Sequence, residues 1–285
     1  MGLIQAFKGE VVLTSAEQGK EFIYCDVFDK NTLVMKGTKR VTQIYNNRYA
    51  DDNIITPESR LIVTKEQALL VVENGKIIDF SAEAGIYTFK SDSEPSLFEG
   101  ELKGLSSSFS KIGKHFSYGE RVDNDKYAYY VNLKEITDNK FGMGNVPFRD
   151  AQLGFTIQLK GFGVYSYKIE DPLIFFANVA VNMKDRYVVG DLDEQLKEEF
   201  QRAIKVATGN LSFSGISYGS ITEHTEELAR SMDKILDEEW GKKRGLTVVS
   251  ISFISVKTDE TSIKKSCSFS NSMTIKIMWI LRIIP

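Results

Sequence analysis

Residues 236–256, "LDEEWGKKRGLTVVSISFISV", decide how the rest of the chain is read. An acidic, helix-forming stretch runs to Trp240; Lys242, Lys243 and Arg244 follow, and Gly245 separates them from a β-branched run. A glycine just past a basic last turn is a helix stop, because it accepts the left-handed conformation that other residues resist. After it, apolar residues fall at both parities (Val248, Val249, Ile251, Phe253, Ile254), which predicts a strand buried on both faces. A long helix feeding such a strand is an α/β feature. Leu236 lies one turn before Trp240, so the indole is expected to pack near this junction.

Working toward the N-terminus, "SITEHTEELARSMDKIL" (220–236) reads as that helix, with Ser220 and Glu223 as a capping-box-like start. Its buried face is Ile221, Leu228, Met232, Ile235 and Leu236. The acids Glu226, Glu227, Asp233, Asp237, Glu238 and Glu239 are a solvated face rather than a metal site. "DLDEQLKEEFQRAIKVATGN" (191–210) repeats the pattern: Asp191 and Glu194 open it, Leu192, Leu196, Phe200 and Ile204 form one stripe, and Gly209 is expected to end it.

Strands dominate before these helices. "SRLIVT" (59–64) is short and β-branched. "QALLVVENGKIIDF" (67–80) is two apolar runs joined by Asn74-Gly75, the pair that supplies both positive-φ residues of a tight hairpin turn. "EAGIYTF" (83–89) follows, and together they predict an antiparallel meander. "YAYYVNL" (127–133) is another strand. In "AQLGFTIQLKGFGVYSYKI" (151–169) Leu153, Phe155, Ile157 and Leu159 alternate, and Gly161 and Gly163 are expected to turn the chain back. This "GFG" leads into a strand, so it is not a phosphate loop, which needs a helix N-terminus behind it. "FGMGN" (141–145) lacks the remaining glycine and the helix.

Two amphipathic stretches are candidate contact surfaces. In the first 19 residues Leu3, Ile4, Phe7, Val11 and Val12 fall at helical spacing. In 99–119 the stripe Leu102, Leu105, Phe109, Ile112 and Phe116 is flanked by Lys103, Lys111 and Lys114. Either helix can pack on its own domain. The alternative is that Leu3, Ile4, Phe7, Lys111 and Lys114 meet an anionic membrane or a partner. A myristoylation reading of Gly2 fails, because Ala6 stands where that motif needs Ser or Thr.

Composition narrows the chemistry. The 285 residues are 42% hydrophobic and 26% charged with net charge −3, an ordinary globular balance, and no basic run suggests nucleic acid. No signal peptide opens the chain, and no apolar run is long enough to span a bilayer. Cys25 and Cys267 lie far apart, which points to a reducing cytoplasm rather than a disulfide framework. His115 and His224 provide neither a zinc cluster nor a metalloprotease motif, and no nucleophile elbow is present. Cys25 sits in "FIYCDVF", where a buried inert thiol is the usual outcome. No catalytic, cofactor or metal residue is assigned. Composition changes again at the end: from Thr261 no acid occurs, and "SCSFSNSMTIKIMWILRIIP" (266–285) alternates serines before an Ile-rich run. It is read as a truncated or frame-shifted remnant of a helical region, with an interfacial anchor as the alternative.

The order of these pieces resembles the SPFH domain (stomatin/prohibitin/flotillin/HflK-C). "VVENGKIIDFSAEAGIYTF", then "PFRDAQLGFTIQLKGFGVYSYKIEDPLIFF", a helix pair and "WGKKRGLTVVSISFISV" follow that family's sequence. Gly75-Lys76, Gly85-Ile86-Tyr87, Asp171-Pro172 and Gly245-Leu246 occupy its landmark positions, while Ala84 stands where many members have Pro. "MGLIQAFKGE", "EPSLFEG", "YYVNLKEI" and "NKFG…VPFRD" are similar to the bacterial YdjI-type (virion-core-protein-like) subfamily. The resemblance implies a mixed α/β (α+β) SPFH fold: an antiparallel meander, then a helix pair leading into a final buried strand. It places an N-terminal segment at 1–19, the domain at 20–258 and the atypical tail at 259–285. It further implies a non-enzymatic scaffold that self-associates, lies peripherally on the cytoplasmic side of a membrane and works with phage-shock-protein-A-like partners in envelope stress. An enzyme built from scattered groups such as Cys25, or a small-ligand binder, are the competing readings.

Overall fold

The structure, a computed structural model, describes residues 21–41, 53–89, 125–152 and 154–258. The amphipathic stretches at 1–19 and 99–119 and the 259–285 tail lie outside the described residues. The described part divides into two units. One takes the residues up to Glu135 with Lys168–Asp193 and Trp240–Thr247; the other takes Ile136–Tyr167, Glu194–Glu239 and the residues from Val248.

In the first unit, strands β1 (Glu21–Tyr24), β2 (Thr32–Lys36), β3 (Thr38–Val41), β4 (Arg60–Val63), β5 (Gln67–Glu73), β6 (Lys76–Ser81), β7 (Gly85–Thr88) and β8 (Lys126–Asn132) precede the boundary. Asn74 and Gly75 have φ of 50° and 76° and join β5 to β6 in a two-residue turn, as their chemistry predicts. The expected single meander is instead divided. β4 and β7 pair in a four-stranded sheet ordered β3-β1-β4-β7, whereas β5 and β6 belong to a five-stranded sheet that also contains β2, β8 and the short strand Arg186–Val188. Packing explains the division. Ile23, Leu61 and Val63 of one sheet and Leu69, Val71, Ala128 and Tyr130 of the other form one core, so each sheet covers an apolar face of its neighbour. A single meander would leave such a face bare. The buried Tyr130 hydroxyl donates to the Ile23 carbonyl at 3.0 Å, so that phenol is satisfied within the core. At the start of the inner strand β1, Glu21 accepts from Lys39 at 2.7 Å and from Thr56 and Ser59.

The remaining strands are β9 (Ile136–Arg149), β10 (Thr156–Ile169), β11 (the Arg186–Val188 strand) and β12 (Leu246–Thr258); the helices are α1 (Pro172–Phe175), α2 (Val189–Phe213) and α3 (Thr225–Leu236). In the first unit, Asp171 caps α1 by accepting from the Leu173 and Ile174 N–H groups at 3.0 Å. Trp240 is fully buried, and Gly245 has φ of 67° with its carbonyl accepting from Glu170 and Asp171. A Cβ on Gly245 would stand 2.2 Å from the Asp171 carbonyl oxygen, so both conformation and space require glycine there. The helix stop and the buried indole are therefore as the sequence predicts.

The second unit is built on the sheet β12-β10-β9. β10 runs unbroken from Thr156 to Ile169, so Gly161 and Gly163 do not turn the chain; the reversal lies at 150–155, where Asp150 accepts from the Gln152 N–H at 2.8 Å. The two glycines serve a close approach instead. A Cβ at Gly163 would lie 2.2 Å from the Ser252 carbonyl oxygen, and one at Gly161 2.5 Å from that of Ser255. Phe200 of α2 stacks on Tyr165 at 4.2 Å and meets Phe141 at 4.9 Å; Phe253 meets Phe141 edge-on at 5.1 Å.

Helix limits differ from expectation for local reasons. Asp191 does not cap α2; its carboxylate reaches back to the Val188 N–H at 2.9 Å, the returning half of a capping box. Gly209 lies inside α2, because Leu211 beyond it is still buried, and the positive-φ stop falls at Gly215. The stripe Leu192, Leu196, Phe200 and Ile204 is buried. Ser220 donates to the Ser217 carbonyl in a tight turn, so α3 begins only at Thr225. Leu228, Met232 and Leu236 are buried as expected. β12 is not buried on both faces. It is an edge strand, and Val249, Ser250, Ser252 and Ile254 are exposed.

Candidate functional site

The five candidate contacts, Leu3, Ile4, Phe7, Lys111 and Lys114, lie outside the described residues. What it does describe is how the reactive side chains are used. Cys25 is buried, its thiol donates to the Asp26 carbonyl at 3.0 Å, and burial pushes its pKa well up, with the Asp26 charge adding to the effect. Such a thiol is held in its protonated, unreactive form. His224 Nδ1 lies 3.2 Å from Glu227 one turn along α3. Among the described residues, no three His, Cys, Asp or Glu side chains converge as a metal ion would need.

The acids around α3 are a solvated face with local partners. Glu226 pairs with Arg230 at 3.5 Å, and Glu239 with Arg202 at 3.1 Å. Asp233 is raised from the usual range by burial and then by Asp237, one turn further along the helix. Two open clefts adjoin α3. One, of about 480 Å³, is lined by Arg202, Asn210, Ser231, Lys234, Ile235, Glu238 and Glu239. The other, of about 420 Å³, lies against Ile251, Ser252 and Phe253 of β12.

The feature that sequence reading missed is the face of the β9–β10–β12 sheet opposite α2. Register places Phe162 opposite Gly142, Val164 opposite Lys140, Gln158 opposite Pro147 and Thr156 opposite Arg149. Phe162 is 53% exposed and Ile254 61%. The available signal was a phenylalanine between two glycines inside a strand-like run. Reading those glycines as a turn removed Phe162 from view.

Sheets packed on one another, with a helix pair feeding a final strand through a left-handed glycine, define a mixed α+β domain with strand, not helix, as its main component. The sequence matches the SPFH domain–Band 7 family over residues 45–275. The chain belongs to that family, whose members are generally membrane-associated, non-enzymatic scaffolds. No curated protein matched the chain. Among the described residues, no helix is long and apolar enough to cross a membrane.

Proposed function

We propose that this chain is a non-enzymatic scaffold that assembles with copies of itself and lies peripherally on the cytoplasmic side of a bacterial membrane. It acts there with phage-shock-protein-A-like partners in the response to envelope stress. The family match over residues 45–275 carries the reading. The likeness of its opening and inserted segments to the YdjI type supplies the partner and the setting. Leu3, Ile4, Phe7, Lys111 and Lys114 are its proposed membrane or partner contacts. The buried, protonated Cys25 argues against the thiol chemistry that an enzymatic reading would use.

Light scattering on the purified full chain over a hundredfold concentration range tests the assembly. A mass rising to a multiple of 32.2 kDa is expected, and a monomer throughout would overturn it. Co-purification of a phage-shock-protein-A-like protein from cells under envelope stress tests the partner.

A further inference from the structure

We infer that the exposed face of the β9–β10–β12 sheet is an anionic-lipid-binding surface; this rests on the peripheral-membrane reading above and gives it a folded site. A solvated sheet face ordinarily alternates polar groups of both signs. This one does not. Along β9 and β10 it presents Lys140, Arg149 and Lys160, all exposed, and no carboxylate between Lys140 and Arg149 or between Thr156 and Val164. The nearest acid along β9 is Asp138. The cationic patch stands on a chain whose net charge is −3, so the sign is local.

Its apolar members are placed to be used. Phe162, 53% exposed, faces Gly142, and among the described residues nothing lies within 4 Å of a would-be Cβ there. Ile254 follows Phe253, whose ring meets Phe141 on the helix-covered face; alternation along the strand puts Ile254 on the other. The hydroxyls of Ser166 and Ser250, 2.7 Å apart, tie β12 to β10 on this same face. Gly142 and Gly144 leave the face low around the ring. A protruding phenylalanine and isoleucine among lysines and an arginine match a negatively charged bilayer surface: apolar tips enter the interface and the ammonium groups stay at the headgroups. Phosphate-tracking on nucleic acid would use the charges but gain nothing from Ile254.

The test is co-sedimentation of the full chain with vesicles of phosphatidylglycerol and phosphatidylcholine, and with phosphatidylcholine alone. Each lysine near such a surface is worth about fivefold in partitioning, so K140Q/K160Q should bind the anionic vesicles about thirtyfold more weakly. F162S/I254S should also lose binding, with unchanged thermal melts for both variants. Wild-type binding to anionic vesicles that neither double variant alters would overturn this face while leaving the peripheral-membrane reading intact. Failure of wild type to bind any vesicle would overturn both. If the lysine variant changed only oligomer mass, or only binding to an RNA oligomer, the face would be a protein or nucleic-acid interface and the inference would be wrong.

Discussion

The two units solve the problem of covering a sheet differently. In the first, two sheets bury their apolar faces against each other around Leu61, Leu69 and Tyr130. In the second, α2 lies on one face of a three-stranded sheet, and Lys140, Phe162 and Ile254 on the other face are exposed. Among the described residues, the large apolar side chains left exposed follow this division: Phe162, Val206, Phe213, Val249 and Ile254 belong to the second unit, Val27 and Ile78 to the first. A sheet that has found a partner sheet is finished as a structure. A sheet with one open face keeps surface available for something outside the chain.

That contrast can be broken most forcefully in the first unit. Trp240→Ala removes a fully buried indole and should cost about 3–5 kcal/mol, read as a lowered denaturant midpoint. An unchanged midpoint would mean that Trp240 is not part of a close-packed core. Next is Gly163→Ala in the second unit. The new methyl would meet the Ser252 carbonyl and the Phe141 ring, so β12 must shift, at about 1–3 kcal/mol. Hydrogen exchange should rise in β10 and β12 and leave β5 and β8 protected.

A smaller effect is expected from pH. Burial would raise the Glu21 pKa, but donation from Lys39, Thr56 and Ser59 outweighs it and holds the group below its ordinary 4.5. A depressed folded pKa gives stability that is present above the unfolded value and lost as pH falls through the folded one. The first unit should therefore weaken below about pH 4.5, modestly because Glu21 remains partly exposed. Glu21→Gln should flatten that acid limb of the stability profile. The smallest effect belongs to F162S/I254S. Changes at exposed positions are worth less than about 0.5 kcal/mol, so its midpoint should match wild type. A clear loss of stability would show that the open face is packing surface.

Legibility followed locality. Asn74-Gly75, the Leu192–Ile204 stripe, Gly245 and Trp240 were readable because turn chemistry and helical period act within a few residues. Gly161 and Gly163 were misread because the atoms that demand glycine, the carbonyls of Ser255 and Ser252, arrive from a strand far along the chain. The meander failed for the same reason: which sheet β7 joins is decided by β4 and the facing core, not by its turn. The exposure of β12 could not be read from an apolar run, which looks alike at an edge and at a centre. Of the candidate site, the open face became visible only once register set Phe162 against Gly142.

The Gly245 carbonyl, which accepts from both Glu170 and Asp171, also bears on how the molecule is made. It joins the segment entering α1 to the one leaving α3, with all of α2 and α3 in the intervening loop. Closing so long a loop costs chain entropy before any contact repays it. During synthesis, the first unit must therefore wait for Trp240–Thr247 to emerge before its last segment can seat. Until then, nascent chains carry an unfinished core, and apolar surface left open in that state is prone to aggregation.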